Sequence, residues 1–150
     1  MAYDSAKDVQ EHILAVKQNL SWIIWLLSQR GLEHDSSKLM DEEKYIFDEY
    51  TPKLQEVEYG SDEYDQALLE MQPALDHHYT NNRHHPEFHE NGVDGMTLID
   101  IVEMLCDWKA ANSKKGTMDF IKSIALNQHR FDMSDQLTQI LINTAKELGW

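Results

Sequence analysis

The sequence predicts an all-α protein. Three observations carry that prediction: apolar residues recur three and four apart, helix-capping residues precede the runs, and β-branched alternation is missing. Residues 4–30 place Val9, Ile13, Val16, Leu20, Ile23, Ile24 and Leu27 at that spacing, with Gly31 as the stop. A second helix is expected from near Ser36 to Tyr50, ending before Pro52 because proline cannot donate to the helical ladder. Ser61, followed by two acids, is the expected N-cap of a helix reaching about residue 80, which Pro73 would kink or split. Pro86, Gly92 and Gly95 make 83–96 an ordered loop. Thr97 and Asp100, in capping-box spacing, open a helix over 97–112 that turns Ile99, Val102, Leu105 and Cys106 inward. Thr117 and Ser134 are the expected caps of two more helices. The expectation is one compact domain, 1–150, of about six helices.

Composition narrows the function. Apolar content of 41% suits a folded globular chain rather than a disordered one. A formal charge of −14 opposes DNA, RNA or an anionic membrane as partner. It leaves a small phosphate ester open if the site carries its own positive charge, as a bound divalent metal would. The longest apolar run, "WIIWLL" at 22–27, is too short to span a bilayer, and the N-terminus lacks signal-peptide order, so a cytoplasmic location is expected. That run also has more large apolar side chains than one buried stripe needs, which leaves room for a homodimer through the first helix. A single cysteine, Cys106, excludes an internal disulfide and reads as a buried, inert thiol.

Chemistry points to the histidines. Five of the eight lie within residues 77–89: His77, His78, His84, His85 and His89. Imidazole nitrogen and carboxylate oxygen are the usual ligands of zinc, manganese and iron, and carboxylate also suits magnesium. His12 stands on the first helix. His34 and Asp35 follow the break after Gly31, where adjacent side chains can reach one ion, as they cannot in mid-helix. Asp107 lies on the 97–112 helix with Glu103 one turn before it. Taken singly, each has a plainer reading: His12 as a surface group, Asp35 as a cap, Asp100 as a capping residue only, His89 as a loop histidine, His129 as packing or surface, and the acidic stretch 41–63 as solvated helix. Together, the histidines could instead be a structural metal clamp or a pH-sensing cluster.

The ordered set His…His-Asp…His…His-His…Asp resembles the HD-domain metal phosphohydrolase superfamily, an all-helical fold named for its His-Asp pair. In that family a first-helix histidine, the His-Asp pair and a late aspartate hold one divalent metal, places taken here by His12, His34, Asp35 and Asp107. "HDSSK" looks like His-Asp-x-Gly-Lys, with Ser37 for glycine and Lys38 matching the lysine. "HHPEFHENGVDGM" is similar to His-His-Glu…Gly-x-Gly-Tyr-Pro, with Glu87 displaced by Pro86 and no Tyr-Pro ending, so cyclic-dinucleotide specificity is not implied. The chain is also similar to an uncharacterised family of short phage and bacterial proteins.

The resemblance implies His78, His84 and His85 as ligands of a second metal, with His78 chosen over its neighbour His77. It implies a phosphohydrolase using one or two divalent ions (Mn, Fe, Co, Zn or Mg) on a nucleotide or other small phosphate ester. Asp35 would bridge, Lys38 would meet a phosphate oxygen, and Glu103 would orient the water or hold a ligand histidine. Tyr79, Asn81, Asn82 and Arg83 would line the substrate, while Trp108 reads as core. The alternatives are a non-catalytic binding or inhibitor protein with a structural metal site, and a di-iron oxygenase on the same kind of scaffold.

Overall fold

The computed structural model describes residues 5–58, 61–115 and 119–150. All regular structure among them is helical: α1 (Ser5–Glu33), α2 (Asp41–Glu56), α3 (Asp62–Asn81), α4 (Leu98–Lys115), α5 (Phe120–Phe131) and α6 (Asp135–Glu147). Short 3-10 turns span Ser36–Leu39, Pro86–Phe88 and Gly92–Gly95. The expected all-α class is what the structure shows. The chain divides into two compact units, Met1–Glu33 and His34–Trp150.

The first unit is α1. It runs through Gly31 to Glu33, two residues past the expected stop, because a lone helical glycine costs only about 1 kcal/mol against alanine. None of its described residues is buried, and Trp22 and Trp25, one turn apart, stack at 4.7 Å. No described helix is long and apolar enough to cross a membrane.

The second unit contains the core. Val93, Met104, Leu105, Phe120, Ile124, Met133, Leu141 and Ala145 cluster from α4, α5, α6, the loop before α4 and the turn between α5 and α6. Trp108 packs against that cluster and stacks on Phe131, the core position the sequence assigns it. Cys106 corrects an expectation: α4 is rotated so that Met104 and Leu105 face inward and Cys106 is exposed. What burial its sulfur has, together with nearby Glu103, pushes the thiol pKa up, so it stays protonated and unreactive.

Several helix ends follow their local chemistry. Ser61 Oγ accepts the Tyr64 amide and Ser134 Oγ the Leu137 amide, as expected of N-caps. Thr97 and Asp100 form the reciprocal box that opens α4: Asp100 Oδ2 accepts the Thr97 amide and Thr97 Oγ1 the Asp100 amide. The Thr117 cap falls outside the described residues; Asp119 caps α5, its Oδ1 accepting the Ile121 amide. Both internal prolines are absorbed. The second helix does not end before Pro52, and α3 passes Pro73 as a single element. Packing of α2 on α3 holds both helices together where local propensity alone would stop them.

Candidate metal centre

The second unit gathers the histidines at one end of α3. After α1, Asp35 adopts a left-handed conformation (φ 55°), tolerated by an aspartate, and this swings its carboxylate away from the helical path. His78 comes from the last turn of α3, His84 and His85 from the ordered loop behind it, and Glu103 and Asp107 from one face of α4. Asp35 lies between them. Its Oδ1 is 3.2 Å from His78 Nε2 and 3.4 Å from His84 Nε2. Its Oδ2 is 3.7 Å from His34 Nε2 and accepts from Lys38 Nζ at 2.6 Å. His34 Nε2 is 3.5 Å from Asp107 Oδ1, and His78 Nε2 is 3.0 Å from His85 Nε2.

Two donor groups result: Asp35, His78, His84 and His85, and then His34, His84 and Asp107. Within each, one ligand atom per residue lies within 4.8 Å of all the others. Donors about 2.0–2.2 Å from one cation sit roughly 3 Å apart when they meet it near a right angle, so these separations suit a shared ion. A second observation agrees. Asp35 Oδ1 and His84 Nε2 are buried and have no hydrogen-bond partner. Buried polar atoms are rarely left so, and both aim into the same space. The donor set fits a divalent cation.

Electrostatics divide the imidazoles. Hydrogen bonds to Asp107 and then Glu103 push the His34 pKa up to about 10, so in the cation-free chain it is an imidazolium, and a cation at Nε2 must displace that proton. Burial, reinforced by His84 and His78, pulls His85 down to about 3, leaving a neutral imidazole. Burial works against ionising Asp35, but the close approach of His78 and the hydrogen bond from Lys38 hold its carboxyl far below the usual range. Asp107 follows the same balance, burial opposed by the hydrogen bond from His34, and also ends lowered.

Glu103 Oε1 lies 3.0 Å from His34 Nδ1 and 3.3 Å from His84 Nδ1. A carboxylate only accepts, so both imidazoles turn Nδ1–H to it and present Nε2 to the donor groups. Glu43, on α2, is fully buried and does the same for two neighbours: its Oε1 accepts from His77 Nδ1 at 2.8 Å and its Oε2 from His78 Nδ1 at 2.9 Å.

A family model described as a family of unknown function, DUF5662, matches residues 1–147. The chain belongs to DUF5662. No curated protein and no solved structure matches it.

For this DUF5662 chain the expected site residues fall into three groups. His34, Asp35, His78, His84, His85 and Asp107 come together, with Lys38 and Glu103 against them. His12 stands exposed on α1, and both donor groups draw only on the second unit. Among the expected substrate residues, Lys38 borders the donors through Asp35 and Tyr79 through His85, its ring 4.9 Å from that of His85. Asn82 is buried, and its amide hydrogens go to Ser37 Oγ at 2.7 Å and the His78 carbonyl at 2.8 Å, so it braces the site. Arg83 pairs through Nε and Nη2 with both oxygens of the fully buried Asp100, at 3.3 and 3.2 Å, and lies over the Phe88 ring. His89 donates to the Arg83 carbonyl at 2.9 Å and closes the loop.

Glu43 is the residue that reading the sequence missed. It sits among acids and passes for solvated helix. The available signal was its place on the stripe Glu43, Phe47, Tyr50 and Leu54, the inward face of α2.

Proposed function

We propose that the chain is a metal-dependent phosphohydrolase acting on a small phosphate ester, with a nucleotide as the favoured class. The observation supporting this most is the pair of buried, unpartnered atoms, Asp35 Oδ1 and His84 Nε2, facing one another within a set of imidazole and carboxylate donors. His78, His84, His85 and Asp35 would hold one cation, and His34 and Asp107, with His84 or the outer oxygen of Asp35, a second. When bound, such cations supply Lewis acidity, which polarises a phosphoryl oxygen and makes a water acidic enough to attack near neutral pH.

The chain's own residues do the rest. Asp35 turns one oxygen towards each group, the arrangement a bridging carboxylate needs. Lys38, part-exposed beside Asp35, supplies a positive charge for a non-bridging phosphate oxygen. Glu103 fixes His34 and His84, a holding role rather than that of a water-orienting base. Tyr79 offers an aromatic wall for a base or sugar. A net charge of −14 around a cation-bearing site favours a small ester over a polymer.

A structural metal site in a binding protein is the second reading, favoured by the depth of His78 and His84, each with a side chain 2% exposed. Phosphate release from a nucleotide panel with manganese, cobalt or iron, run beside thermal melting with chelator, separates the two. Turnover that chelation abolishes is the expected result. A large fall in melting temperature on chelation, with no ester turned over, transfers the assignment to the second reading.

A further inference from the structure

The adjacent histidines at the end of α3 pose a question the donor groups leave open: why one of the pair serves and the other does not. Successive residues on a helix diverge by about 100°, so His77 and His78 cannot present the same atoms to the same point. Yet both Nδ1 atoms reach Glu43 from opposite sides, one to each oxygen, at 2.8 and 2.9 Å. Glu43 is fully buried, and Ser37 also donates to it. Asn82 Nδ2 and Ser37 Oγ also lie 3.0 and 3.3 Å from His78 Nδ1. The two amide hydrogens of Asn82, however, are committed to Ser37 Oγ and the His78 carbonyl, and the Ser37 hydroxyl to Glu43, which leaves Glu43 the nearest acceptor for the Nδ1 proton.

We propose that Glu43 is a positioning residue: by taking Nδ1–H from both histidines it turns the His78 Nε2 lone pair into the Asp35 group and retains His77 outside as a support. The assignment rests on the metal reading for its purpose but not for its geometry. An ionised carboxylate is acceptor-only and can satisfy two N–H donors and a hydroxyl together. A glutamine in its place has one accepting oxygen and a donating NH2, so an imidazole or Ser37 must turn away or change tautomer. Glu43 thus acts on α3 as Glu103 does on His34 and His84, and two carboxylates from different helices orient three Nε2 atoms before any cation arrives.

The experiment has two readouts. Long-range proton–nitrogen NMR of the metal-free wild type reads tautomers directly, and His78 is expected as the Nδ1–H form. Manganese binding then compares variants. Glu43→Gln is expected to weaken affinity about 10–100-fold, as loss of a carboxylate behind a ligand histidine does, whereas His77→Asn changes it less than about threefold. Finding His78 as Nε2–H, or Glu43→Gln binding as tightly as wild type, or His77→Asn costing as much as Glu43→Gln, overturns the proposal. Should Glu43→Gln fail to fold, the wild-type tautomer and the His77→Asn comparison still decide. Wild-type protein that takes up no cation yet shows His78 as Nδ1–H overturns the metal reading and leaves the Glu43 assignment standing. Tight uptake with His78 as Nε2–H does the reverse.

Discussion

Asp35 concentrates most of the site's demands in one side chain. It needs a positive φ, a buried oxygen facing two imidazoles and another facing Lys38. That combination guides the choice of substitution. Alanine would disturb the backbone as well as the chemistry, because a left-handed conformation costs an ordinary residue roughly 1–2 kcal/mol. Asparagine tolerates the same φ and removes only the charge. Asp35→Asn is therefore expected to fold with a melting temperature near that of wild type while losing at least about 100-fold in phosphate release. Retention of full turnover and metal content by this variant would remove Asp35 from the chemistry. At this scale the sequence was informative where chemistry and position coincide: the His34-Asp35 pair after a helix end, and the crowded loop histidines. It was silent on Asn82 and Arg83, which look like polar rim residues until the folded chain supplies Ser37 and Asp100 as partners.

Among elements, the loop between α3 and α4 stays in place through a buried anchor rather than through regular structure. Asp100 accepts from Arg83 through two nitrogens, from the Thr97 amide and from Thr97 Oγ1, while His89 reaches back to the Arg83 carbonyl. Since His84 and His85 follow Arg83 directly, α4's opening turn and the donor groups share one support. Asp100→Ala strands several donors at once. A fall in stability of roughly 2–4 kcal/mol is expected, read by denaturant or thermal melting, accompanied by weaker metal uptake. A variant that melts like wild type would show the anchor to be dispensable. The capping residues were legible because each cap is local, spanning three residues. Pro52, Pro73 and Gly31 misled because contacts between α2 and α3, and the length of α1, outweigh single-residue propensities. Glu43 stayed hidden for a related reason: its burial depends on a helix 34 residues further along.

For the molecule as a whole, the same groups set how stability responds to pH. His34, raised to about 10 from 6.5, holds more protons folded than unfolded between those values, so its contribution is full below 6.5 and is lost as pH rises through 10. His85, lowered to about 3, contributes fully above 6.5 and loses that contribution as pH falls towards 3. Asp35, Glu43 and Asp107, all lowered, add to the acid side. Chelator-treated protein is expected to melt highest near pH 6.5 and lower on either side. His34→Asn should flatten the alkaline limb and also soften the acid limb, since His34 helps to lower Asp107 and Asp35. A single monotonic trend across the range in the wild type would contradict the assignment. The helical class and the clustering of donors were readable from periodicity and residue order, whereas these opposing titrations emerge only from three-dimensional neighbours.

One nitrogen has a consequence for loading. His84 Nε2 is common to both donor groups, and a single electron pair cannot serve two guests. Whichever ion arrives first takes it, and the latecomer settles for a poorer nest. Calorimetry should therefore resolve a tight event followed by a feeble one, and two identical, independent steps would show that the imidazole is not contested.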